Sequence, residues 1–210
     1  MALHPFFDVV EVPATRTVYE DEAAFRAVPL DDARAFAVTS ARAARAAAVL
    51  WHRRPNLPVY AVGESTAQAL RDEGVIVTAV APARTGASLA TLVDEGPVVV
   101  PGAAEPLTEL DDALAARGIV VRRVTAYRTL GRVLDDEDRQ SVQSAQVVLV
   151  IAPSAWAILE PCVAAGTLVV TMGPTTAAVV RASHRHVVVA TTPEAMAQAW
   201  RAFSAPNEDH

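Results

Sequence analysis

Cysteine is almost missing from this chain: Cys162 stands alone among 210 residues. A single thiol excludes an internal disulfide and a thiolate metal cluster. No Cys-His or Cys-Lys arrangement surrounds it, so helix packing is its expected role. Also missing is any apolar run as long as a membrane span. The opening stretch, MALHPFFDVVEV, has no basic start, no long apolar core and no small-residue cleavage pattern. A cytoplasmic chain without membrane contact is the expectation that follows. The formal net charge is −6, with basic residues scattered rather than gathered in one stripe. That argues against nucleic acid as a partner and leaves room for a small polyanion held by local donors. Nothing in the pattern calls for an oligomer, and a monomer is expected.

Phosphate loops are missing as well. The two Gly turns, GESTAQ and GPTTAA, have neither the Gly-x-x-x-x-Gly-Lys nor the Gly-x-Gly-x-x-Gly spacing, which sets nucleotide binding aside. The histidines His4, His52, His184, His186 and His210 form no pair at helical ligand spacing beside a carboxylate. No metal site is expected, and His184 and His186 read as loop residues ahead of a strand. The acidic pairs Asp31-Asp32, Asp111-Asp112 and Asp135-Asp136 read as solvated faces or helix starts rather than acid–base pairs.

What is present is a repeat. Residues 58–80 read as strand, Gly turn, helix, turn and strand, and residues 168–190 echo them. Both copies carry a Gly (Gly63, Gly173), then a hydroxyl pair (Ser65 and Thr66, Thr175 and Thr176), then an Ala-rich helix; the Gly residues lie 110 apart. Residues 37–44 match 149–156, with Ser40 falling on Ala152, and VPATRT at 12–17 matches VTAYRT at 124–129, both at an offset of 112. Three matched segments in one order indicate a duplicated unit. Hydrophobic residues at 52% are enough to build a core in each copy.

Strands alternate with helices across short turns, which indicates an α/β fold of parallel sheets flanked by helices. Strands are expected near residues 35, 59, 75, 98 and 119 in a central domain (14–129), and near 7, 147, 168 and 187 in a discontinuous terminal domain (1–13 with 130–205). Residues 206–210 form a polar tail. Ser88 is expected to cap a helix over 88–94, Gly74 to end a helix, and Pro101-Gly102 to close the strand at 98–100.

Ligands of parallel sheets bind beyond the carboxyl ends of the strands. Those ends carry Thr39 and Ser40, Gly63, Ser65 and Thr66, Gly102, Ser154, and Gly173, Thr175 and Thr176. Helix N-termini there suit carboxylates or phosphates, and two facing rims would make an anion-binding cleft. Each hydroxyl also reads as a plain helix cap. Tyr127 follows a strand in the segment crossing between repeats, where its phenol either donates a proton or simply packs.

On these residues the chain resembles the uroporphyrinogen-III synthase family over nearly its whole length. The resemblance rests on Val38-Thr39-Ser40, on Val62-Gly63-Glu64-Ser65-Thr66-Ala67, on Tyr127-Arg128-Thr129 and on Gly173-Pro174-Thr175-Thr176-Ala177. It implies two similar α/β domains joined by a two-stranded crossing. It also implies cyclisation of hydroxymethylbilane with inversion of its last ring, without a cofactor, with Tyr127 as proton donor. Departures are Ala152 in place of a Ser, no basic residue in Pro101-Gly102-Ala103-Ala104-Glu105, and no opening strand and helix ahead of residue 7. A catalytically silent member of the same fold that binds a tetrapyrrole or another small anion is the competing expectation.

Overall fold

The computed structural model describes residues 6–205. His4, His210 and the polar tail lie outside them. The chain divides into two compact units, one of Thr17–Thr129 and one of Met1–Arg16 with Leu130–His210.

The first unit is built on a parallel sheet. Its strands are β2 (Ala35–Val38), β3 (Val59–Ala61), β4 (Ala79–Val80), β5 (Val98–Ala103) and β6 (Val121–Gly131). They lie in the order β6-β5-β2-β3-β4, with β1 (Thr15–Tyr19) beside β6. β2 is buried at every position, as expected of a strand covered on both faces. Its side chains alternate between two cores. Phe36 and Val38 pack with Leu50, Trp51 and the alanines of α2 (Ala44–Trp51) and with Ala67 and Leu70 of α3 (Glu64–Asp72). Ala35 and Ala37 pack with Leu89 of α4 (Gly86–Ala90) and with Leu110 and Leu114 of α5 (Glu109–Ala115). The short helix α1 (Glu22–Arg26) contributes Phe25 to the first of these cores.

Two glycines are fixed by geometry. Gly74 ends α3 with φ +78°, in the left-handed region. Gly86 lets α4 and α5 touch, since a Cβ there would stand 2.7 Å from the Leu110 backbone nitrogen. Two of the acidic pairs turn out to be tied down. Asp32 holds the Arg122 guanidinium through both carboxylate oxygens at 2.9 Å, and Asp111 is paired with Arg123. The Arg122 hydrogen bond holds the Asp32 carboxyl below its ordinary range. This pair's contribution is therefore present above the unfolded carboxyl's value and is lost as pH falls through the lowered one.

The second unit contains β7 (Val147–Val150), β8 (Leu168–Thr171) and β9 (Val187–Val189), all parallel and in that order. They repeat the order and direction of β2, β3 and β4. One face packs on Val142 of α6 (Asp136–Ser144), on Trp156 and Leu159 of α7 (Pro153–Leu159) and on Val180 of α8 (Pro174–Arg181). The other packs on Met196 and Trp200 of α9 (Pro193–Ser204). Cys162 is half-buried in the turn after α7 and packs on the first of these cores, as expected. His184 is more than a loop residue: it is buried, its Nε2 lies 2.7 Å from the Thr167 carbonyl, and its ring meets Trp156 edge-on.

Several expectations are corrected. Residues 7–12 form no strand: Phe7 and Val12 pack by their side chains on the two cores, while the segment's backbone joins no ladder among the described residues. The second sheet thus has three described strands, not four. β5 runs through Pro101 and Gly102. Its ladder with β2 stops at Phe36–Val99 and it continues along β6 alone, where a missing N–H is tolerated as on an edge strand. β6 extends past Val124, so Tyr127 lies inside a strand. Thr85, not Ser88, caps α4, because the Thr85 side chain accepts the Ser88 N–H.

Caps also separate the two repeats. Ser40 accepts the Arg42 N–H at 3.3 Å ahead of the turn into α2. Its counterpart Ala152 holds the extended N-cap conformation, φ −141° and ψ 150°, without a side-chain bond. Ala152→Ser should therefore stabilise the protein by about 0.5–2 kcal/mol, read from the urea midpoint, and an unchanged midpoint would show that the cap does not form. Phe36 is 0% exposed between the sheet and α2. Phe36→Ala should cost about 3–5 kcal/mol in the same measurement.

Candidate active site

A chain that leaves β2 for β3 and β4 and then returns to β5 on the other side of β2 opens a crevice at the carboxyl ends of β2 and β5. In the first unit a cavity of about 570 Å³ occupies that place. Thr39 and Ser40 reach it from the end of β2, and Gly63, Ser65 and Thr66 from the turn between β3 and α3. Ala103 comes from β5 and Tyr127 from β6. A second depression, about 510 Å³, is lined by Glu22, Arg26, Val49, His52 and Arg53. It lies on α1 and α2, away from the strand ends, and brings none of the expected residues together.

Ser65 and Thr66 are not caps. The N-cap of α3 is Gly63, in extended backbone and with no side-chain bond to offer. The Thr66 and Ala67 N–H groups return to the Gly63 carbonyl. Those of Glu64 and Ser65 have no protein acceptor among the described residues. They are the orphan donors of a helix start, at the positive end of the helix dipole. With Thr66 buried on the same wall, the turn offers hydrogen-bond donors to an anion. The matching turn in the second unit is built alike: Gly173 caps α8 without a side-chain bond, Thr175 is exposed and Thr176 is buried. Ser154 is exposed in the first turn of α7.

Gly102 stands behind the cavity wall rather than in it. A Cβ at that position would lie 3.9 Å from Thr39 Oγ1 and 3.7 Å from Arg123 Nη1, a buried donor without a partner.

Tyr127 is aimed by an irregularity in the sheet. The β5–β6 register steps from Gly102–Thr125 to Ala103–Tyr127, so Ala126 is an extra residue. Such a bulge re-aims the side chain that follows. The ring is 6% exposed, with Tyr19 at 6.2 Å and the Arg42 guanidinium 5.8 Å above its centroid. Its hydroxyl makes no hydrogen bond among the described residues, which leaves both its proton and its lone pairs available.

Three charged residues on the cavity wall escaped the sequence reading. Arg84 enters from the loop between β4 and α4, and Glu105 and Glu109 lie between β5 and the start of α5. Glu109 accepts the Gly86 N–H at 3.0 Å and so supports the start of α4. No spacing signal reports these residues, because only the fold brings them to the strand ends.

The comparisons with known proteins bear on the fold and on the family. The crystal structure of a uroporphyrinogen-III synthetase from Helicobacter pylori is similar with a TM-score of 0.68 and 20% identity, covering 92% of this chain and 91% of that one. A mutant uroporphyrinogen III synthase from the extremely thermophilic bacterium Thermus thermophilus is similar with a TM-score of 0.57 and 20% identity, covering 91% of this chain and 87% of that one. At that identity these likenesses show the fold. A search of curated protein sequences finds no significant match. The family model of uroporphyrinogen-III synthase HemD matches residues 5–198, nearly the whole length, and the chain therefore belongs to the uroporphyrinogen-III synthase family.

Proposed function

We propose that this chain cyclises hydroxymethylbilane to uroporphyrinogen III, acting as a cyclising hydro-lyase of tetrapyrrole biosynthesis. The observation that carries the reading beyond family membership is the cavity at the ends of β2, β3 and β5. It combines uncapped helix donors, hydroxyls and a phenol whose hydroxyl is unbonded. The linear substrate carries an acetate and a propionate on every pyrrole. Thr39, Ser40, Gly63, Ser65 and Thr66, with Gly102 behind them, are assigned to substrate carboxylates. Ser154, Gly173, Thr175 and Thr176 are assigned the same role on the repeat. We further infer that the chain is two copies of one α/β domain, divided near residues 13 and 129, with β1 and β6 as the connecting strands.

The chemistry asks little of the protein besides geometry. Tyr127 gives its proton to the departing hydroxyl, which leaves as water, and the substrate becomes an azafulvene. The substituted carbon of the last ring attacks the exposed methylene and forms a spiro intermediate. That intermediate fragments and recloses with the ring inverted. The final pyrrole regains aromaticity by losing its α-proton, and this restores the phenol. Net, one water is lost and no electron is exchanged. Because the substrate also closes unaided, catalysis lies mainly in holding the inverted approach over the simple one.

The test is to supply fresh hydroxymethylbilane and resolve uroporphyrin isomers III and I after oxidation. Isomer III in excess is expected. Isomer I alone would overturn the reading and favour a catalytically silent tetrapyrrole-binding member of the family. Tyr127→Phe removes only the hydroxyl, and turnover should fall about 10²-fold with an unchanged circular dichroism spectrum. An unchanged rate would return Tyr127 to a packing role.

A further inference from the structure

We propose that Arg84 is a specificity-determining residue that receives a carboxylate of the substrate. The proposal rests on the synthase reading above and adds to it a residue that neither the repeat nor the family motifs identify.

Arg84 comes from the loop between β4 and α4 and lies across Gly63. A Cβ on Gly63 would stand 3.2 Å from Arg84 Nε and 3.3 Å from its Cγ, so the missing side chain is what lets the arginine lie against the turn. Arg84 Nη2 stands 3.5 Å from Ser65 Oγ, a long contact. No carboxylate forms an ion pair with Arg84 among the described residues, although Glu105 lines the same cavity. A cation thus lies beside the positive end of α3, where the helix dipole repels it; the acid of that first turn, Glu64, is engaged by Arg71 instead. An anion bound at that spot removes the conflict, and a guanidinium fork matches a carboxylate with two parallel N–H donors. All 18 basic side chains are arginines, so the exchange to lysine is informative, because lysine keeps the charge and loses the fork.

Two further observations fit. Residues 101–105 contribute no basic side chain to the cavity, and Arg84 supplies one from the neighbouring loop. At the matching turn, a Cβ on Gly173 would meet nothing within 4 Å, so the cation is a feature of one repeat and not of the fold. A substrate with an acetate and a propionate on every ring needs such a difference to be bound in one direction.

The experiment compares wild type, Arg84→Met, Arg84→Lys and Arg26→Gln. Arg26 is an exposed arginine of α1, paired with Glu22 away from the strand ends, and serves as the charge control. For isomer III formation from hydroxymethylbilane, Arg84→Met should raise KM about tenfold or more with kcat within about twofold. Arg84→Lys should fall between, and Arg26→Gln should match wild type. An unchanged KM in Arg84→Met, or a loss confined to kcat, would overturn the proposal. If wild type forms isomer I alone, it is the synthase reading that fails. Binding of uroporphyrin III followed by tryptophan fluorescence then decides the matter for Arg84: a tenfold weaker Kd in Arg84→Met supports it and equal affinity overturns it. Arg84 is exposed, and circular dichroism confirms that each variant is folded.

Discussion

Parallel pairing is the constraint from which the rest follows. Strands that all run one way need a crossover between each pair, and here the crossovers are helices. The helices that follow β2, β3, β4 and β5 therefore begin at the same edge of the first unit's sheet. With β5 placed beside β2 rather than beside β4, the edge splits at β2. The cavity at that split is a consequence of strand order, not of any one side chain. The same order forces β2 to be apolar on both faces, and Phe36, Ala37 and Val38 are all 0% exposed. The core thus fixes the backbone from which Thr39 and Ser40 project.

The starts of the helices divide into two kinds. Some are capped by a side chain: in the first unit Ser40 bonds the Arg42 N–H and Thr85 the Ser88 N–H, and in the second Asp135 bonds the Asp138 N–H. At Gly63 and Gly173 the cap is a glycine and the first N–H groups are left without a side-chain partner. A glycine cap forgoes a stabilising bond and keeps the backbone approachable. That exchange suits the proposed role of this wall in holding carboxylates and releasing the product. Tyr127 reaches the same cavity through a bulge, so its placement also depends on a departure from the regular ladder.

Much of the scaffold was legible in the sequence. β8 is bounded as expected because LVVT is a short, wholly buried apolar run, and the two Gly turns were found by their echo. Less legible was anything decided by neighbours. Pro101-Gly102 reads as a stop, yet β5 continues because β6 pairs with it; the strand near residue 75 shrinks to Ala79–Val80, flanked by the Thr78 and Ala81 N–H bonds to the Val59 and Ala61 carbonyls of β3. Residues 7–12 read as a short strand but find no ladder among the described residues. Of the residues lining the candidate cavity, Thr39, Ser40, Ser65, Thr66 and Tyr127 were legible because they sit in the repeat. Arg84 was not: it lies 21 positions from Gly63 in a loop without a pattern, and only the fold lays it over that residue.

The central claim is that the uncapped turn at Gly63 is a binding surface for tetrapyrrole carboxylates. The direct measurement is an amide ¹H–¹⁵N NMR titration of the folded protein with uroporphyrin III, a stable oxidised relative of the product. The account predicts saturable shifts of the Glu64, Ser65 and Thr66 amides with those of the neighbouring Thr39 and Ser40, while amides of α1 stay in place. Saturable shifts centred on Glu22, Arg26 and His52, or none at the β3–α3 turn, would contradict it.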